Sequence, residues 1–245
     1  MSRNSAARVL ASAVLAAAVA ALGTACDADG PEPTATTAAP SAAPIGFVET
    51  VDGTDGSVTY SAELPQLRDG DAAVRETFNA AMRAALDQHL QPAAYDAPVT
   101  VAPGILGESG RSQVSHVGTG AVAGVLLLNI YVDRAAHPYN TVSTLVIDAV
   151  TAAPIALTDL FTDPAAGLRA VVAGIGDAIA GHDLLAGQRT PQPVTDQLTD
   201  WLPTADGLVI YLSVAHVLGD YYPVLVDWDA LADVLKDGMR EKLTE

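Results

Sequence analysis

The hydrophobic rhythm of this chain changes several times, and each rhythm predicts an element. Over residues 47–67, FVETVDGTDGSVTYSAELPQL, apolar and polar positions alternate on either side of a DGTDG turn. Val58, Tyr60 and Ala62 then share one face and Thr59, Ser61 and Glu63 the other, the period of two that marks a β-hairpin. Residues 71–90, DAAVRETFNAAMRAALDQHL, switch to helical spacing. Val74, Phe78, Ala81, Met82, Ala85 and Leu86 form one stripe, charges fall opposite, and Asp71 is placed to cap the first turn.

Two further stretches, SQVSHVG (112–118) and AVAGVLLLNIYVD (121–133), read as strands. The second is almost continuously apolar, as expected of a strand buried on both faces at mid-sheet. NTVSTLVIDAV, the turn residues Thr151 to Ala153, and PIAL predict another hairpin. Asp163-Pro164 supplies an N-cap followed by proline at the first helical position; Leu168, Val171, Val172, Ile175 and Ile179 mark one helical face, and Gly181 is the stop. DGLVIYLSV (206–214) and PVLVDW (223–228) predict two more strands, and DALADVLKDGM (229–239) a closing helix. Strands and helices come in blocks, so the expected fold is α+β, a mixed or antiparallel sheet packed against two to three amphipathic helices.

The beginning of the chain follows a different rule. Arg3 and Arg8 precede an apolar run from Val9 to Leu22, 14 residues long, with no acid before the single cysteine, Cys26. A bilayer-spanning helix needs ~20 apolar residues, so this run is too short for a permanent anchor and has the layout of an export signal. It ends in Gly-Thr-Ala-Cys, which resembles a bacterial lipobox, although Gly23 holds the place where that motif usually has leucine and Leu22 lies one further back. Residues 1–25 are therefore expected as a lipoprotein signal peptide and Cys26 as the lipidated first residue of the mature protein. A diacylglyceryl group, with any further acyl chain such as palmitate, gives the two chains that stable anchoring requires. The protein is then expected to be exported and lipid-anchored on the outer face of the cell membrane. Residues 26–44 form a Pro/Ala/Thr-rich tether with four prolines and no large apolar side chain. Residues 45–245 remain for one extracellular domain, or two divided near residue 110.

Composition narrows the partners. The chain has 12 Lys plus Arg and 29 Asp plus Glu. Two of the arginines lie in the signal, which leaves ten bases against 29 acids and a mature charge of −19. Such a charge opposes nucleic acid and anionic lipid surfaces and favours basic partners, although acids also simply solvate an alanine-rich surface. With one cysteine, no disulfide braces the fold and thiol catalysis is excluded.

No sequence motif assigns a catalytic residue, a metal site or a cofactor. His89, His116, His137, His182 and His216 are dispersed, with no H-x-H or H-E-x-x-H among them. GESGR at 107–111 lacks the spacing of a nucleophile elbow and reads as a turn; GIGDAIAG at 174–181 places its glycines inside a helix, where close packing explains them. The acidic pairs Asp52 and Asp55, Asp69 and Asp71, and Asp227 and Asp229 do not match a calcium loop, and Asp71 and Asp227 or Asp229 have work as helix caps. Tyr221-Tyr222 offers either a stacking surface or ordinary cross-strand packing.

From His137 onward a family resemblance emerges. HPYNTVSTLVIDAVTAAPIALTDLF, then DGLVIYL, then PVLVDWDAL, resembles the C-terminal domain shared by the extracellular part of the RsiV anti-sigma factor and the mycobacterial secreted immunogenic proteins. The elements would be His137-Pro138, a strand through Leu145 and Ile147, the turn near Thr151, Ile155 to Leu157, and Asp159-Leu160-Phe161, with Asp206-Gly207, Ile210-Tyr211 and Pro223 to Trp228 later. VTYSAELPQLRDGDAAVRETFNAAM is similar to the strand-then-helix unit that precedes such domains. One departure is VLGDYYP: relatives carry Gly-Pro just before the last strand, whereas three residues separate Gly219 from Pro223 here. The resemblance implies an α+β fold, no catalytic residue to carry over, and capture of a basic protein such as a lysozyme. No spanning or cytoplasmic anti-sigma segment is evident, so the signalling role is not expected. Three functions follow in order of preference: a lipid-anchored, non-enzymatic surface binding module, a cell-wall-active enzyme working on peptidoglycan sugars through acidic residues, and a structural envelope lipoprotein.

Overall fold

A computed structural model describes residues 42–245; Cys26, the expected signal and most of the expected tether lie outside the described residues. The first two strands, β1 (Ile45–Asp55) and β2 (Val58–Arg68), form an antiparallel hairpin. Its turn is the two residues Gly56 and Ser57, with Gly56 at φ 54°, so most of the expected DGTDG turn is strand. A two-residue loop matches the twist of the strands but needs positive φ, which glycine supplies. The helix α1 (Ala72–His89) follows, and the Asp71 carboxylate accepts the Ala73 and Val74 N–H groups at 2.9 and 3.1 Å. Such a cap contributes about 1 kcal/mol. Val74, Phe78, Met82 and Leu86 are its buried stripe.

Four more strands follow: β3 (Val99–Pro103), β4 (Gln113–Val117), β5 (Ala121–Val132) and β6 (Tyr139–Asp148). β3 pairs in parallel with β2, and every other pairing in this six-stranded sheet is antiparallel. β3 and β4, which flank residue 110, lie end to end along one side of β5, and β6 lines its other side. After Thr151–Ala153 the chain turns back, and Ile155 N–H donates to Val146 O at 2.8 Å, so the expected second hairpin closes with a very short return.

The second part of the domain holds α2 (Pro164–Ala180), a three-stranded antiparallel sheet of β7 (Trp201–Pro203), β8 (Gly207–Ser213) and β9 (Tyr221–Asp227), and the short helices α3 (Trp228–Leu231) and α4 (Met239–Thr244). Asp163 caps α2 through the Ala165 and Ala166 N–H groups, and Gly181 ends it. The expected single closing helix is instead two. Asp227 stands at the α3 cap position without a side-chain cap bond, the chain leaves the helix after one turn, and Leu235 pairs with Phe161. Lys236 N–H donates to Leu160 O at 2.8 Å, and Gly238, at φ 73°, starts α4. Long-range backbone pairing here outweighs helix propensity.

β5 separates two cores. Its even residues Val122, Leu126, Leu128 and Ile130 pack with the α1 stripe, while its odd residues Ala121, Ala123, Val125 and Leu127 pack with Val171 and Ile175 of α2 and with Leu208, Ile210 and Val226 of the second sheet. A continuous apolar strand is needed because neither face meets water, and each buried Leu or Ile contributes about 1.5–3 kcal/mol. Gly174 of α2 lets Val226 approach: a Cβ there would lie 2.6 Å from Val226 Cγ1. Among the described residues no helix is long and apolar enough to cross a membrane.

Candidate functional site: a cleft around Asp200

The outer edge of β6 decides where the second sheet sits. The Leu127 carbonyl accepts Gly104 N–H on the β3 side of β5, so the paired Val142, and with it Asn140 and Thr144, turn their N–H groups away from β5. Two carboxylates from the second sheet meet this edge. Asp220 Oδ2 accepts Asn140 N–H at 2.7 Å, and Asp200 Oδ1 accepts Thr144 N–H at 3.2 Å. Trp201 N–H returns a bond to Thr144 Oγ1 at 3.0 Å, and Tyr211 N–H donates to Asp200 O at 2.9 Å, which fixes the start of β7 against both β6 and β8.

Around Asp200 an open cleft of about 480 Å³ is lined by Arg189, Gln192, Asp196, Tyr211 and Tyr221 among others. Burial pushes the Asp200 carboxyl above the usual range, and the bonds from Thr144 N–H and the Thr199 hydroxyl offset this only in part. Burial, then the Asp200 charge, pushes the Tyr211 hydroxyl up to about 12. Tyr221 moves the same way through burial and the charges of Asp200 and Asp220. The cleft floor thus holds a partly desolvated acid beside two protonated phenols. That arrangement suits a cationic group that can pair with the carboxylate and lie over a ring, and also a sugar that stacks on tyrosine.

Beside the cleft the loop after β8 is tied down. Ionised Asp220 can only accept, so His216 Nδ1 donates to its Oδ1 at 2.9 Å. His137 stacks on His216, with ring centroids 3.7 Å apart and planes 12° from parallel. Asn140 Nδ2 donates to Gly219 O at 3.1 Å, and Gly219 and Asp220 have φ 96° and 71°. The fold therefore brings together two histidines that sequence spacing keeps 79 positions apart. His182 Nε2 and the Tyr222 hydroxyl are hydrogen-bonded at 2.7 Å, whereas His89 and His116 lie elsewhere, each with its proton affinity lowered by burial.

The tyrosine pair divides its roles: Tyr221 lines the cleft, and Tyr222 packs against His182 on β9. GESGR is a turn closed by a Leu106–Gly110 bridge. Among the described residues no three His, Cys, Asp or Glu side chains converge on a metal position. Sequence reasoning passed over Asp200 because a lone aspartate in a polar, proline-containing stretch carries no motif.

A two-sheet α+β domain with long helices on separate cores has solved counterparts in the DUF3298 family. One, a member of that family from Bacteroides fragilis, superposes with a TM-score of 0.55 at 12% identity over 82% of this chain and 97% of its own. A DUF3298 family protein from Pseudomonas aeruginosa gives 0.53 at 11% identity over 82% and 95%. The likeness is one of fold. No family model matches the sequence, and no curated protein matches it.

Proposed function

We propose that this chain is an exported, lipid-anchored binding module without enzymatic activity, held at the outer membrane face through Cys26, and that the cleft around Asp200 captures a basic protein such as a lysozyme. The observation that carries the proposal is the half-buried Asp200 carboxyl lining one cleft with Tyr211 and Tyr221, in a chain of formal charge −17 that loss of the signal would take to −19. An arginine or lysine side chain of the partner would exchange solvent for a carboxylate and an aromatic wall, and the surplus of acids would steer its approach. The RsiV-like residue pattern supports the same reading, and the DUF3298 fold, to which RsiV C-terminal domains are related, is compatible with it. The role uses no cofactor and no nucleic acid.

The test is a binding titration of hen-type lysozyme against the wild type, Asp200→Asn and Tyr221→Ala. We expect saturable binding weakened at least tenfold by either substitution, the scale of losing a charge-assisted contact or an aromatic anchor. Equal binding by all three proteins would refute the cleft assignment. A second reading, hydrolysis of peptidoglycan sugars, has one observation in its favour: Asp196 lines the same cleft as the raised Asp200, and paired carboxyls serve glycoside cleavage. Sugar release that Asp200→Asn abolishes, in the absence of lysozyme binding, would establish that reading instead.

A further inference from the structure

The hairpin at the start of the domain presents an edge that the cleft does not use. Val99 N–H donates to Ser57 O at 2.9 Å, so odd-numbered residues at the start of β2 turn their backbone groups to β3 and even-numbered ones to β1. The antiparallel register pairs Val58 with Asp55, Tyr60 with Gly53 and Ala62 with Val51. Val48, Thr50, Asp52 and Thr54 of β1 therefore direct N–H and C=O outward, at the end of the sheet order, where no described residue bonds them.

Native edges are usually blunted by proline, charged side chains, a bulge or shortness. β1 has no proline, its register runs unbroken over 11 residues from Ile45 to Asp55, and its charges, Glu49, Asp52 and Asp55, are all acidic, so they repel acidic strands and not basic ones. The face of β1 that carries Val48, Thr50, Asp52 and Thr54 is exposed, whereas on the other face Phe47, Val51 and Gly53 are half-buried and Val51 packs against the α1 core. A Cβ on Gly53 would lie 2.5 Å from the Tyr60 hydroxyl, so the tyrosine ring covers the glycine and pins the register.

Charge selects the occupant. The hairpin carries four acids, Glu49, Asp52, Asp55 and Glu63, against one base, Arg68, which pairs with Ile45 at the end away from the turn and lies over the Phe47 ring. Asp52 shares a face with Glu63, because Thr50 pairs with Glu63 and Asp52 with Ser61; Glu49 and Asp55 lie on the other face. A second copy of this chain would bring the same four acids against them, and like charges across strands destabilise pairing. We propose that β1 is a docking edge to which an extended, lysine- or arginine-rich segment of a partner protein adds as a further strand. Backbone bonds to Val48, Thr50, Asp52 and Thr54 would supply affinity, and acids on both faces would supply the preference for basic side chains.

The experiment uses a capped peptide that alternates lysine with valine, titrated against the chain and against Thr50→Pro. Proline there removes an outward N–H and leaves the β1–β2 ladder intact, so the melting temperature should hold while affinity falls about tenfold. The same peptide N-methylated at alternate amides keeps its charge and cannot form the ladder, and we expect it not to bind the unmodified chain. That arm also decides the matter should Thr50→Pro fail to fold. Equal binding of the methylated peptide would overturn the proposal, since charge alone would then be responsible. A dimer in sedimentation that Thr50→Pro dissolves would overturn it as well, by showing that a second copy occupies the edge.

Discussion

Asp148 and Asp200 are both largely shielded from water, yet they respond to pH with opposite sign. Lys242 pairs with Asp148 Oδ2, and Asp148 Oδ1 accepts the Val150 and Thr151 N–H groups at 2.8 Å each; against the opposing effect of burial, these together hold the carboxyl well below the usual range. A depressed folded value means that the contribution is complete above the unfolded value near 3.9 and is lost as pH falls through the folded one. Asp148→Asn should therefore lose roughly 2 kcal/mol at neutral pH, and the difference from the wild type should close on acidification. Asp200 has one N–H and one hydroxyl, both at 3.2 Å, and burial prevails. Its raised value means that ionised Asp200 weakens the fold: the penalty is absent below the unfolded value, develops as pH rises through the folded one, and is constant above it. Asp200→Asn should melt no lower than the wild type at neutral pH while losing ligand, the pattern of a residue kept for function. Melting curves across pH check both, and a loss of stability in Asp200→Asn as large as in Asp148→Asn would mark Asp200 as purely structural. Residues of this kind were nearly illegible in the sequence. The one hint lay in VLGDYYP, where the chain departs from the RsiV-like pattern that it otherwise resembles: the intervening residues include Asp220, which bonds β6, and Tyr221, which lines the cleft.

Elements were legible in proportion to how much burial disciplined their pattern. β5, α1 and α2 could be read because a strand buried on both faces must be continuously apolar and a half-buried helix must carry a stripe. β3 and β7, of five and three residues, are defined by the strands they pair with and have too few positions to show a period. The closing segment was misread for a related reason, since Phe161 and Leu160 take its backbone from a distance. Its last part, α4, depends on a glycine. A Cβ on Gly120 would clash with the Lys242 carbonyl oxygen, and Thr119 N–H donates to Glu245 O at 3.1 Å. Gly120→Ala should push α4 off the β4–β5 turn, strain the Asp148–Lys242 pair and lower stability by on the order of 2 kcal/mol. Thermal melting together with faster amide exchange at the C-terminus would show this. An unchanged melt would mean that α4 contributes little to the domain.

At the scale of the whole molecule, a formal charge of −17, which removal of the proposed signal would take to −19, and a cleft with an acid on its floor belong to one account, in which charge sets the encounter and the cleft sets the residence time. Attachment would add proximity to the cell surface: Cys26→Ser should release the protein into the medium or leave an uncleaved precursor, and unchanged membrane retention and mass would contradict lipidation. The central claim is that the cleft captures a basic protein, and kinetics across a salt series test it most directly. Association and dissociation rates with lysozyme would be measured for the chain without signal and lipid, beside Asp200→Asn. The account predicts that association slows as salt shortens the ~10 Å screening length found near 0.1 M. Dissociation should stay nearly constant with salt in the wild type and rise about tenfold in Asp200→Asn. Binding that disappears entirely at modest salt and does not distinguish the two proteins would contradict it, because any polyanion behaves that way.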